Sequence, residues 1–326
     1  MSFVFKMLEK LDLKDRKLLS SIEMDARTPL TQLAKKLKLS KQVVKYRMDR
    51  LQKENLIQSY YAVIDLNKLK QTIYVVYFKL ANITSSIEQT WYNKLNSDKA
   101  VMGFSKNSGN FDLTIVIKAL NNHELNEVIT RITKGQGQFI TRKIITSEIE
   151  STYFNLNIIY DEAKSFEAST SDNQDVHINV DALDYKIIQE MSNCRTNLAT
   201  IANKLKISAN SVKNRLRKLE KEKIIICYKT KINYEKLGYL HFRAILRIFD
   251  FDDKTYLRLK EFLKMQGHTE SISKYIGFGD IDFRFYVQDM SQYQEFMAHL
   301  KDSFPKEITE IEAMQIFDWK SIRYTP

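Results

Sequence analysis

The sequence predicts an α+β protein written as two copies of one unit, each a trihelical head followed by a βαββαβ body. Three observations carry that prediction: internal self-similarity, a change of hydrophobic period inside each copy, and a polar run between the copies. The stretch RTPLTQLAKKLKLSKQVVKYRMDRLQKENLIQSYYAVIDLNKL from Arg27 realigns without gaps on RTNLATIANKLKISANSVKNRLRKLEKEKIIICYKTKINYEKL from Arg195. Thr28, Ala34, Leu37, Ser40, Val44, Arg47, Leu51 and Tyr60 recur as Thr196, Ala202, Leu205, Ser208, Val212, Arg215, Leu219 and Tyr228. A repeat of this length dictates architecture before any single residue does. Upstream, Leu11-Asp12-Leu13-Lys14-Asp15 matches Val180-Asp181-Ala182-Leu183-Asp184 after a one-residue slip in the loop.

Within a copy, apolar residues first fall at helical spacing: Leu18, Leu19 and Ile22, then Leu30 to Leu37, then Val43 to Leu51. After Ile57 the pattern becomes β-rich, with strands expected over Ile57 to Ile64, Thr72 to Leu80, Val101 to Ser105, Phe111 to Ile117 and Phe139 to Ile149. Helical stretches Ser86 to Leu95 and Asn122 to Ile132 separate them, and the second copy repeats the order as far as Phe317. Asp161 to Val176 reads DEAKSFEASTSDNQDV, polar and without apolar period, which is linker composition. The expected units are therefore head 1 at 1–66, body 1 at 67–160, linker at 161–178, head 2 at 179–235 and body 2 at 236–326.

Composition narrows the function. The opening Ser2 to Leu8 is shorter than a signal h-region, and no segment reaches about 20 uninterrupted apolar residues, so a cytoplasmic protein without a membrane span is expected. Cys194 and Cys227 lack CxxC spacing and neighbouring histidines, which argues against disulfides and a zinc site. Gly135-Gln136-Gly137 and Gly277-Phe278-Gly279 do not continue into a nucleotide fingerprint. None of the five histidines falls in a catalytic or metal-ligand motif, so no catalytic residue, metal or cofactor is expected. The 51 Lys+Arg against 40 Asp+Glu leave a formal +11, which suits a polyanion if the cations cluster.

They do cluster, in the heads. Leu33, Ala34 and Leu37 pack one short helix, Lys38-Leu39 turns, and Ser40 stands where its hydroxyl caps the next helix, a helix-turn-helix. In that next helix Val44, Met48 and Leu51 must face the core, leaving Lys41, Gln42, Lys45 and Tyr46 outward with Arg50 on the flank. Its counterpart turns Asn210, Lys213, Asn214 and Arg217 outward. Lysine and arginine attract phosphates regardless of sequence, while Gln42, Asn210 and Asn214 have the donor and acceptor pair that reads adenine. The expected partner is double-stranded DNA. Arg47 and Arg215 adjoin the core stripe, where an ion pair and a phosphate contact are both open.

LDLKDRKLL, the helix-turn-helix of RTPLTQLAKKLKLS, Val44-x-x-Arg47-x-x-x-Leu51, Leu56-Ile57-x-x-Tyr60 and Ile64-Asp65 resemble the winged head of the leucine-responsive (Lrp/AsnC) transcription regulators, twice in one chain. The resemblance implies winged heads, ferredoxin-like βαββαβ bodies that dimerise and bind small effectors, commonly amino acids, and hence an intramolecular pseudo-dimer open to further homodimerisation. It also implies an effector site at the Gly-x-aromatic-Asp turn, which matches Gly109-Asn110-Phe111-Asp112 and, less closely, Gly279-Asp280-Ile281-Asp282. An Asp there would hold an α-ammonium group; alternatively these turns use Gly, Asn and Asp for the backbone alone. One departure from the family is that Asn55 and Lys223 replace a Gly before the wing, and Lys works against a left-handed turn.

Body 1 alternates Ile73, Val75 and Tyr77 with Tyr74, Val76 and Phe78, so both faces of that strand are apolar and call for a partner sheet, with the other copy the nearest candidate. On the matching strand of body 2, His241, Arg243 and Arg247 alternate with apolar residues and must be exposed, paired or bound. Two other functions fit part of the sequence. Siroheme decarboxylases share this layout, but their His-Asn-Tyr-x-Arg stretch has no counterpart near Val101 to Ser105 or Ser273 to Ile276. A ligand-sensing adaptor without DNA binding is disfavoured by the retained cationic rims.

Overall fold

The computed structural model describes residues 11–160, 166–170 and 180–321; the opening Ser2 to Leu8 stretch and most of the linker lie outside them. Head 1 holds α1 (Leu13–Ile22), α2 (Leu30–Leu37) and α3 (Lys41–Lys53), followed by β1 (Ile57–Ile64). Body 1 runs β2 (Thr72–Leu80), α4 (Ser85–Ser97), β3 (Val101–Ser108), β4 (Leu113–Ala119), α5 (Asn122–Thr133) and β5 (Ile140–Phe154). Part of the expected linker is structured, because Glu167–Ser169 forms β6 on the edge of β5. The second copy supplies α6 (Ala182–Glu190), α7 (Leu198–Leu205), α8 (Ala209–Lys221) and β7 (Ile225–Ile232). It continues with β8 (Leu240–Ile248), α9 (Asp253–Met265), β9 (Thr269–Ile276), β10 (Ile281–Val287), α10 (Met290–Ser303) and β11 (Ile308–Ser321).

Among the described residues, every head helix except α2, which follows Pro29, is capped by a short polar side chain. Asp12 accepts from Asp15 N at 2.8 Å, Ser40 from Val43 N at 3.2 Å and Ser208 from Ser211 N at 3.0 Å. Lys38 and Lys206 end α2 and α7 in the left-handed region at φ 52° and 56°. Asn55 and Lys223 both stand at φ 53°, so the turn before the wing is the same in both copies. Lys223 takes that conformation against a cost of about 1 kcal/mol, while Ile224 N closes onto Leu219 O at 2.9 Å as Leu56 N does onto Leu51 O. The expectation that Lys would weaken the turn is corrected: the closing hydrogen bonds impose it.

Neither wing is a free hairpin. β1 and β7 pair antiparallel with each other, and Leu18, Leu19, Val44 and Leu51 share one continuous core with Ile187, Ile188, Val212 and Leu219. The two heads are one packed unit.

The bodies each fold as an antiparallel four-stranded sheet with helices on one face, and their sheets join at both edges. The order is β2-β4-β3-β11-β8-β10-β9-β5-β6, with β2 also pairing β5. Leaving out the edge strand β6, the sheet closes on itself. Closure explains why β5 and β11 outrun the expected Phe139 to Ile149 and Ile308 to Phe317: each finishes by pairing with a strand of the other copy, β5 with β9 and β11 with β3. The helix-facing sides form separate cores, Tyr74, Val76, Phe78 and Trp91 in body 1 and Phe242, Ala244, Leu246 and Phe285 in body 2. Inside the closure lie Val75, Tyr77, Phe111, Ile245, Tyr275 and Met314. No helix among the described residues is long and apolar enough to cross a membrane.

Candidate nucleic-acid interface

On α3 the stripe Val44, Met48 and Leu51 is buried and Lys41, Gln42, Lys45 and Tyr46 are exposed, Tyr46 by 66%. On α8, Val212, Leu216 and Leu219 are buried while Asn210, Lys213, Asn214 and Arg217 are exposed. Eight of the nine residues expected to read DNA thus lie on two open helix faces. Lys45 is tied to Asp49 one turn on, at 2.6 Å, in a solvent-exposed pair that costs little to open. Lys204 on the rim makes a similar pair with Glu190 at 2.6 Å.

Arg50 is the exception. Its guanidinium bonds the fully buried Asp15, which also takes Arg47 at 2.7 Å. Arg47 reaches Asp12 as well, at 2.7 Å. The second head repeats the arrangement: Arg215 bonds Asp181 and Asp184 at 2.7 Å each, and Lys218, the counterpart of Arg50, lies 3.6 Å from Asp184. A buried carboxylate demands cations, and these positions answer it. Arg50, expected among the DNA-facing residues, is thus ion-paired at the flank of α3 rather than free on its open face, and Arg47 and Arg215 are ion-paired as well.

Four contacts between the copies tie the heads together, two of them at the ends of α3 and α8. Lys68 donates to Glu222 O at 2.8 Å, at the end of α8, and Lys236 donates to Glu54 O at the end of α3. Arg27 donates to the Tyr228 hydroxyl at 3.2 Å and covers its ring, and Arg195 lies 5.4 Å over the Tyr60 ring. Each crosses from one copy to the other. The signal was present as recurrence, since Lys68, Arg27 and Tyr60 all repeat in register.

The turns expected to hold an effector are equivalent in a different register. Asp112 accepts Leu80 N at 2.7 Å and pairs with Lys79 at 3.1 Å; Asp280 accepts Ile248 N at 2.7 Å. Asp112 thus corresponds to Asp280, and the earlier pairing with Asp282 is off by two residues. Gly279 stands at φ +79°, where an added Cβ would come within 2.3 Å of Ile245 Cγ2. Both turns spend their carboxylates on a strand N–H, and Gly109 takes a positive φ in the other turn; Asn110 lies beside it. The turns do meet: the Phe111 and Phe278 rings are 5.6 Å apart. Asp282 instead points inward from β10, taking the Tyr77 hydroxyl at 2.9 Å with Arg243 Nε at 3.3 Å.

Residues 11–58 match a winged helix-turn-helix DNA-binding model, and residues 180–220 match the AsnC-type helix-turn-helix domain. The chain is similar to AsnC-type helix-turn-helix regulators, with a helix-turn-helix match in each half. The HTH-type transcriptional regulator LysM of Sulfurisphaera tokodaii is 27% identical over 138 residues, covering 42% of this chain and 96% of LysM. LysM of Saccharolobus solfataricus is 25% identical over 135 residues, 41% of this chain and 92% of its own. One Lrp/AsnC-like copy accordingly suffices to span such a regulator. At the level of the whole chain, the crystal structure of the siroheme decarboxylase NirDL superposes with a TM-score of 0.61 at 9% identity, covering 95% of this chain and 93% of that one. That likeness is one of fold.

Proposed function

We propose that this Lrp/AsnC-like tandem is a DNA-binding transcription regulator in which α3 and α8 read two adjacent major-groove half-sites. The observation that carries the reading is the pair of exposed faces, Lys41, Gln42, Lys45 and Tyr46 on one helix and Asn210, Lys213, Asn214 and Arg217 on the other, set on heads packed into one unit. Cations on these faces displace counterions, and the amides supply base contacts. Similarity to regulators across a full copy length supports it. The test is binding to genomic fragments across a salt series. Reversal of Lys41 and Lys45 to Glu, or of Lys213 and Arg217 to Glu, is expected to weaken binding severely and flatten the salt dependence; unchanged affinity in both double variants overturns the reading.

The same reading includes modulation by a small effector and self-association of chains, both open to measurement on the intact protein. Catalysis stands second. The whole-chain fold of NirDL favours it, but the decarboxylase His-Asn-Tyr-x-Arg stretch has no counterpart here. Optical titration with an iron-uroporphyrin, in parallel with the DNA assay, separates the two.

A further inference from the structure

The two bodies differ in polarity where they face each other. At matched positions inside the closed sheet, body 1 carries Ile73, Val75, Met102 and Val116, and body 2 carries His241, Arg243, Glu270 and Arg284. A cavity of about 70 Å³ opens between these walls. Its apolar side is Ile73, Met102 and Val116. Its polar side is Arg243, Asp282 and Arg284, with Glu148 and the hydroxyls of Ser151 and Ser273, themselves joined at 2.6 Å.

Arg243 is 3% exposed and lines this cavity, and its Nη1 has no hydrogen-bond partner. An unmet guanidinium N–H in that setting is costly and selects for an acceptor. In the surrounding layer Arg243 faces Asp282, Arg284 and Lys229 face Glu270, and burial raises the pKa of Glu148 and that of Glu23 to about 7. Space for one liquid water is about 30 Å³, so the cavity takes a group of a few heavy atoms. We propose that it binds one small monocarboxylate, of acetate or propionate size, with the carboxylate on Arg243 Nη1 and the alkyl end against Ile73, Met102 and Val116. The two arginines of the polar side, Arg243 and Arg284, come from body 2, where body 1 has Val75 and Val116 at the matched positions, while Glu148 and Ser151 come from body 1; the chain therefore holds one such site rather than two symmetric ones.

This inference adds a ligand to the DNA-binding reading and does not rest on it, because binding is measured without DNA. The test is calorimetric titration and thermal shift of the full chain with sodium acetate and propionate, against sodium chloride and glycine at matched ionic strength. A saturable shift with propionate that chloride does not reproduce is expected, at least tenfold weaker in Arg243→Met. Because removal of a buried Arg threatens folding, Val116→Phe is the second variant: it keeps every charge and fills the apolar side, and it is expected to abolish the shift. Binding no stronger than chloride, tighter binding of glycine than of propionate, or undiminished binding by Val116→Phe each overturns the assignment. Charge reversal at Lys41 and Lys45 should leave the shift intact.

Discussion

Lys68 of the first copy donates to the main-chain carbonyl of Glu222, at 2.8 Å, where the second copy's reading helix ends. Lys236 returns the same bond to Glu54. A cation at a helix C-terminus satisfies an orphan carbonyl and complements the macrodipole, each worth roughly 0.5–1 kcal/mol. Because each crosses between copies, it also couples the placement of one reading helix to the other body. Lys68→Met with Lys236→Met is expected to lower Tm by a few degrees and to speed amide exchange at the ends of α3 and α8 specifically. Exchange that accelerates uniformly, or not at all, speaks against this coupling.

Asp15 is fully buried between Arg47 and Arg50, and removing its charge strands Arg50 and leaves Arg47 with Asp12 as its remaining carboxylate. Asp15→Asn is expected to cost about 3 kcal/mol by denaturant titration, the scale of a broken buried pair. Arg50→Met should lower stability while leaving the slope of DNA affinity against salt unchanged, since Arg50 is spent on Asp15. A reduced slope would return Arg50 to the DNA interface.

Glu23 sits at the junction of the first head, the chain leaving body 1 and the second copy: its carboxylate accepts Leu156 N at 3.0 Å and the Tyr234 hydroxyl at 2.8 Å. Burial raises its pKa from 4.5 to about 7, so between those values the folded chain holds more protons and stability falls as pH rises. His241 works in reverse. Burial lowers it from 6.5 to about 3, so in that window the unfolded chain holds more protons and stability rises with pH. The two oppose each other between pH 4.5 and 6.5. Glu23→Gln removes one arm, worth up to about 3 kcal/mol, and the variant's stability should climb more steeply than the wild type's across that window, where buried His268, lowered to about 4, adds to the rise from His241. Parallel curves would show that Glu23 does not titrate there.

The heads differ at Lys41/Ala209, Gln42/Asn210 and Tyr46/Asn214, all on exposed faces. Footprinting is expected to return an imperfect palindrome whose half-sites differ in sequence and in strength of protection. With β1 paired to β7, half-site spacing should tolerate no insertion of a few base pairs without loss of affinity. A symmetric, equally protected operator would oppose the first expectation, and spacing tolerance the second.

By itself the sequence determined the copy number, the order of elements, the buried stripes of α3 and α8 and the exposed faces opposite them. These follow from local periodicity and from register between copies, and both are written in the chain. It also required that the charges on β8 be answered somehow. Only the tertiary structure decided how: alternation alone cannot say that β5 and β11 run on to close the sheet, so it cannot enclose Arg243 and His241 or bring Tyr77 of one body to Asp282 of the other. The same limit explains Arg50, whose flank position on α3 reads as solvent until α1 sets Asp15 against it. Nor could a turn pattern reveal that Asp112 answers to Asp280, since Gly and Asp recur two residues apart and only the strand hydrogen bonds choose between them. Local spacing fixes which way a side chain points on its own element. What it meets there depends on residues 32 to 205 positions away, and packing makes that choice.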